Sequence, residues 1–163
     1  MKLPHCIVLV SAFSISTAAQ LFSPPQPHLT PTPQQACLNL LSINVFALGP
    51  AGYEAGLSSG EESYRSIAGS TNALDLFSMT LTNAGPAGKI YALFGMRQMA
   101  PSFFELHRRE LSASDIEVEV MEGCISRKER ISVIVNQMTL GNYDKHFWTP
   151  PVLALRLSLH PGE

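Results

Sequence analysis

Residues 85–111, GPAGKIYALFGMRQMAPSFFELHRREL, constrain the fold more than any other stretch. Pro86 suits a first helical position, where an amide proton would have no intrahelical partner. The helix predicted from Pro86 to about Met99 carries only two charges, Lys89 and Arg97. Ile90, Leu93 and Phe94 form one apolar face. Gly88, Ala92 and Gly95 form a second, smooth one against which a neighbouring backbone can lie closely. A helix that is apolar nearly all round has to be covered nearly all round. Pro101 breaks this helix and opens another. Phe103, Leu106, His107 and Leu111 are expected on its inner face, with Glu105 and Arg109 paired one turn apart. The flanking sequence is therefore read as what covers a central buried helix.

Upstream, residues 35–48 (QACLNLLSINVFAL) place Cys37, Leu40 and Leu41 at helical spacing, and Ile43, Val45 and Ala47 in strand-like alternation. A short helix passing into a strand over 43–47 is expected. Gly49, Pro50, Gly52, Gly56 and Gly60 then enforce an irregular loop. Ser59 and Glu62 have the spacing of a capping box for a helix with Tyr64, Ile67 and Ala68 inside, ended by Gly69. Asn72 opens the next helix, in which Ala73, Leu76, Phe77 and Leu81 recur at helical spacing.

Downstream of the central pair the period changes. Ile116, Val118 and Val120 alternate with Glu117 and Glu119, predicting a half-buried strand over 115–122 with an acidic outer face. Ser126 and Glu129 read as a second capping box before Ile131, Ile134, Val135 and Met138, a helical stripe ended by Gly141. The β-branched run ISVIV leaves a β-hairpin as the alternative for 127–140. The fold class expected is mainly α (α+β): a compact bundle of four to six helices with a small two-stranded β element.

The N-terminus predicts export. Lys2 precedes a ten-residue apolar run, CIVLVSAFSI, and then Ser16, Thr17, Ala18 and Ala19, the pattern of a signal peptide over 1–19. The run is too short to span a bilayer, so no membrane span is expected after cleavage. Residues 20–34 are proline-rich and read as a linker. Residues 35–148 form a single mainly helical domain, and 149–163 a C-terminal tail. The composition, 45% hydrophobic and 15% charged, suits a folded core rather than a disordered chain. A net charge of −2 gives no basic excess for a nucleic-acid surface.

Loss of residues 1–19 would remove Cys6 and leave Cys37 and Cys124. In an oxidising compartment this isolated pair is a disulfide candidate. Antiparallel pairing of the strands near Ile43 and Val118 supports it. The register that brings Cys37 beside Cys124 also sets Ile43 opposite Val118 and Val45 opposite Ile116.

Three patterns imitate chemistry. Gly56, Ser58 and Gly60 fit G-x-S-x-G, and Asp115 or Asp144, then His146, follow in the order of a hydrolase triad. That motif belongs between a strand and a helix in a parallel sheet of several βαβ units, for which this chain is too short. GPAG occurs at Gly49 and again at Gly85, but the residues after each copy diverge. His28, His107, His146 and His160 lack metal-ligand spacing, and no cofactor motif is present, so no metal or cofactor is expected. Arg127, Lys128, Glu129 and Arg130 read as a solvated helix start, with contact to a small anion or acidic partner as the sharper alternative. Tyr143, Phe147 and Trp148 read as packing.

The segments GYEAGLSSGEESYRSI and PAGKIYALFGM, with the GCI around Cys124, resemble small exported bacterial proteins of unassigned function. That resemblance implies export, to the periplasm or outside the cell, and a shared fold. It supplies no site residue. Residues 86–111 also resemble a single HEAT-type helical hairpin. By elimination the role expected is a binding or interaction module with an unknown protein partner. Gly52, Tyr53, Gly56 and Ser58 form its candidate binding loop. The alternative is a small hydrolase using the loop around Ser58.

Overall fold

The computed structural model describes residues 30–53 and 55–148. The predicted signal peptide, most of the proline-rich linker and the tail lie outside the described residues. Among the described residues six helices and a three-stranded sheet make up the fold, which is mainly α as expected. Helix α1 spans Pro33–Ser42, two residues into the segment assigned to the linker; Thr32 caps it by accepting from the Gln35 amide. Strand β1 is only Val45–Phe46. Helices α2 (Ser59–Ala68), α3 (Ala73–Asn83), α4 (Pro86–Met99) and α5 (Pro101–Ser112) follow. Strands β2 (Glu117–Glu122) and β3 (Ile125–Arg130) form a hairpin that runs directly into α6 (Ile131–Thr139). A 3₁₀ turn, Asp144–His146, closes the described chain.

Helix α4 is the axis. It packs against α1, α2, α3, α5, α6 and both β1 and β2. Ile90, Tyr91, Ala92, Leu93, Phe94 and Met96 have no exposed surface. The smooth face works as the sequence suggests. A Cβ on Gly88 would collide with the backbone carbonyl of Leu40 in α1, and one on Gly95 with the ring of Phe77 in α3. Glycine at these two positions sets how closely the helices approach.

The sheet departs from expectation. Its order is β1-β2-β3, with β1 parallel to β2, not antiparallel: Val45 pairs with Glu119 and Phe46 with Val120. Four helices intervene between β1 and β2, and a crossover of that size can carry the chain back to the end of the sheet at which β1 began. Alternation alone cannot separate the two senses. The parallel sense also removes the disulfide. Residues before β1 lie toward the start of β2, whereas Cys124 follows its end. Both cysteines are free. The Cys37 thiol is buried in α1 against the Leu76 carbonyl and 3.2 Å from Thr80 Oγ1. Cys124 is exposed and donates to the Gly52 carbonyl at 3.4 Å.

The third strand stands where a helix start was expected. Ser126 and Glu129 cap nothing; they lie in β3, opposite Met121 and Val118. Glu117 faces Arg130 and Glu119 faces Lys128, so acidic β2 meets basic β3 across the ladder. Gly123, at φ +58°, begins the two-residue loop that turns the hairpin. The helical stripe Ile131, Ile134, Val135 and Met138 is buried as expected.

Helix α5 is rotated from its expected face. Phe104 and Leu111 are buried, while Phe103 and Leu106 are 43% and 68% exposed. Phe104 lies under the Arg97 guanidinium, 5.4 Å from its ring centroid. Glu105 pairs with Arg108 rather than Arg109.

Candidate functional site

The glycine-rich loop is fastened at three points, and each fastening assigns one of the residues singled out in the sequence. Within the loop, Ala51 N–H donates to the Gly56 carbonyl at 2.9 Å, and Ala55, at φ +50°, donates to Gly52. Gly52 N–H donates to the Gly123 carbonyl at 2.9 Å, so the loop is docked onto the tip of the β2–β3 hairpin. Gly49 N–H donates to Glu61 Oε2 at 2.7 Å. Glu61 has no exposed surface, and Arg65 neutralises it through Oε1, one helical turn away.

Ser58, not Ser59, is the N-cap of α2. Its Oγ accepts from Glu61 N–H at 3.0 Å, and its hydroxyl donates to the Ala47 carbonyl at 3.1 Å. Tyr91 Oη lies 3.2 Å from the same oxygen. The Tyr91 phenol also accepts from Ala47 N–H and donates to Ala47 C=O, which continues the strand ladder where β1 ends. Burial pushes the Tyr91 pKa up to about 12. Ser58 is therefore enclosed by capping and strand-end hydrogen bonds.

None of the three remaining triad candidates is among the hydrogen-bond partners of Ser58. Asp144 is held by a two-pronged ion pair from Arg97, at 2.9 and 2.8 Å. The exposed carboxylate of Asp115 is 3.9 Å from Arg130. The His146 ring lies over Gly49, where a Cβ would meet its Cε1 at 2.8 Å. Burial, and then the Lys145 charge, hold His146 below the ordinary histidine pKa. Gly52 and Gly56 serve the turn, and Tyr53 projects from it 99% exposed.

A concave feature with converging polar groups lies next to this loop and contains none of its four named residues. A cleft of about 500 Å³ opens between the sheet, α6 and the 3₁₀ turn. Phe46, Leu48, Val120, Val133 and Ile134 form an apolar floor. Residues 120, 122, 127 and 129 share one face of the hairpin because Val120 is opposite Arg127 and Val118 opposite Glu129. On that face Arg127 lies 3.1 Å from Glu122 and 3.6 Å from Glu129. The opposite rim is built by the Gly141 turn, whose φ is +83°. It presents Gln137, Asn142, Tyr143, Lys145 and His146. Tyr143 stacks edge-on against Phe46, with ring centroids 5.7 Å apart, and burial raises its phenol pKa. The Arg97–Asp144 pair anchors this rim to α4.

A second hollow of about 470 Å³ lies by Leu57, Arg65, Ser66 and Trp148. Among the described residues no group of three or more His, Cys, Asp and Glu side chains could hold a metal, and no helix is long and apolar enough to cross a membrane. Comparison with protein families, curated proteins and solved structures gives no match.

Sequence reasoning misses most of the cleft. Local pattern makes Arg127 and Glu129 a helix start, and Tyr143 packing alone. Two signals point to them. The basic run at 126–130 follows the turn at Gly123 and Cys124 and complements the acidic strand before it, and a cluster of polar residues follows Gly141.

Proposed function

We propose that this protein is an exported binding module whose ligand occupies the cleft between the sheet, α6 and the 3₁₀ turn. One observation carries the reading: polar groups from three separate elements converge over an apolar floor in a hollow of ligand size. The rim is braced from behind by Arg97 and Asp144, so the site is largely preformed. Export rests on the pattern of residues 1–19 and on the resemblance to small exported bacterial proteins. The hydrolase alternative draws no support from Ser58, whose oxygen is committed to Ala47, Glu61 and Tyr91.

The test is an amide chemical-shift map of the purified protein against a fragment library. Binders should perturb Val120, Val133, Gln137 and Tyr143 together. A library whose hits all map to the Tyr53 turn, or that yields no hit, would overturn the assignment of the cleft. N-terminal sequencing of the protein recovered outside the cytoplasm tests export, with a new terminus expected close to Ala19.

A further inference from the structure

The outer side of α2 holds both ends of the described chain. Ser66 Oγ donates to the Pro31 carbonyl at 2.6 Å. Trp148 N–H donates to Tyr64 Oη at 3.4 Å, and the Trp148 carbonyl accepts from Gln98 Nε2. The indole rests on Gly69, where a Cβ would meet Cη2 at 2.8 Å. Beside these anchors lies the hollow of about 470 Å³, whose wall includes Thr30, Leu57, Glu62, Ser66 and Trp148. It shares no lining residue with the cleft. We infer that this hollow is a docking groove for a proline-rich segment, and that residues 23–29 of the same chain, SPPQPHL, fill it.

The course of the chain selects this occupant. Thr30 is part of the wall and Pro31 is held beside it by Ser66, so residue 29 joins the domain at the hollow. A segment attached there needs only weak contacts, because a short tether supplies an effective concentration of about millimolar. Length agrees. Glu62 and Ser66 on α2 and Gly69 at its C-cap follow one another over about 10 Å, at 1.5 Å per residue. Residues 25–29 in polyproline II conformation cover about 12 Å, at 3.1 Å per residue. Chemistry agrees as well. Pro24, Pro25 and Pro27 hold φ near the polyproline II value. Such a segment docks on an aromatic side chain at low entropic cost and leaves its carbonyls free. Trp148 offers the ring. Its hydrogen bonds among the described residues are both made by its backbone, which leaves the indole N–H to donate to one of those carbonyls. Leu57, 43% exposed, adds an apolar wall.

The competing occupant is the tail that follows Trp148, which carries Pro150 and Pro151. The Gln98 bond draws the carbonyl end of Trp148 toward α4, whereas Thr30 stands in the wall of the hollow itself. Docking makes part of the linker an outer layer of the domain, held against α2 rather than spaced away from it.

Trp148 is the single tryptophan of the chain, so its fluorescence and its one indole N–H signal report on the hollow alone. In the full chain, nuclear Overhauser contacts should join the Trp148 ring protons to those of Pro24, Pro25 or Pro27. A variant carrying Pro24→Ser, Pro25→Ser and Pro27→Ser together should lose these contacts. Its emission should move to longer wavelength, its quenching by acrylamide should rise, and the amide signals of Ser66 and Gly69 should shift. Its far-ultraviolet circular dichroism should stay that of the parent, which separates release of the segment from unfolding. Pro150→Ser with Pro151→Ser should leave every readout unchanged. Ring contacts to residues 149–163 in place of 23–29 would overturn the proposal in favour of the tail. Emission and quenching that the triple variant leaves as they were, with no ring contact to any proline, would overturn it in favour of an open hollow.

Discussion

At the scale of single residues, the cysteines and tyrosines show how burial decides chemistry. Cys37 and Cys124 look alike in sequence, yet one thiol is buried under α3 and the other lies on the hairpin turn. Alkylation of the native protein should modify Cys124 fully and Cys37 only after unfolding. Reductant should leave the thermal midpoint unchanged, and a midpoint that falls on reduction would restore the disulfide. Tyr64 and Tyr91 are both pushed up to about 12 by burial, against an ordinary value of 10. The unfolded chain thus loses these protons at lower pH than the native protein does. Their contribution is complete below pH 10 and is lost as pH rises from 10 through 12, each tyrosine giving up about 1.4 kcal/mol per pH step across that window. Denaturant midpoints measured between pH 9 and 12 should fall above 10, and less steeply in Tyr91→Phe. His146 acts in the opposite range. Its lowered pKa means that the unfolded chain binds the proton first, so stability declines as pH falls below about 6.5.

At the scale of elements, the helices were more legible than the sheet. Pro86 at N1 and the nearly all-apolar span to Met99 leave little alternative for α4, and its bounds are those expected. The small-residue face was also legible, and its consequence is sharp. Gly88→Ala places a methyl group against the Leu40 carbonyl, a backbone atom that cannot swing aside. It should cost about 1–3 kcal/mol, the range for overpacking a tight core. The thermal midpoint checks it, with Gly85→Ala, where a Cβ meets nothing within 4 Å, as comparison. Strand β3 and the face of α5 were not legible, for different reasons. S-x-x-E occurs in both capping boxes and strands, and only the partner strand decides. Here Glu117 and Glu119 of β2 select Arg130 and Lys128, and the chain changes period between Arg130 and Ile131. On α5, Phe103 and Phe104 are adjacent and equally apolar. The guanidinium of Arg97 chooses Phe104, a choice made by tertiary contact and absent from the local pattern.

At the scale of the whole molecule, the sheet and the cleft depend on the helices that surround α4. The strand β1 is two residues long, too short to hold a sheet by itself. Tyr91 of α4 completes its ladder at Ala47, and Phe46 packs edge-on against the Tyr91 ring, with centroids 4.9 Å apart. The rim of the cleft is tied to the same helix by Arg97 and Asp144, and Phe94 stacks on Phe147 at 5.1 Å. The cleft is therefore illegible in local sequence because its parts meet only through α4. Leu93, at the centre of that helix, has no exposed surface. Leu93→Asp buries a carboxylate with no counter-ion designed for it, a mechanism that exceeds most single substitutions. The domain should lose its cooperative thermal transition and its near-ultraviolet circular dichroism. Leu106→Asp makes the same chemical change at a site 68% exposed on α5 and should retain both. Equal behaviour of the two variants would mean that α4 is not the buried axis. Loss confined to Leu93→Asp would show that the sheet and the cleft rim cannot persist without it.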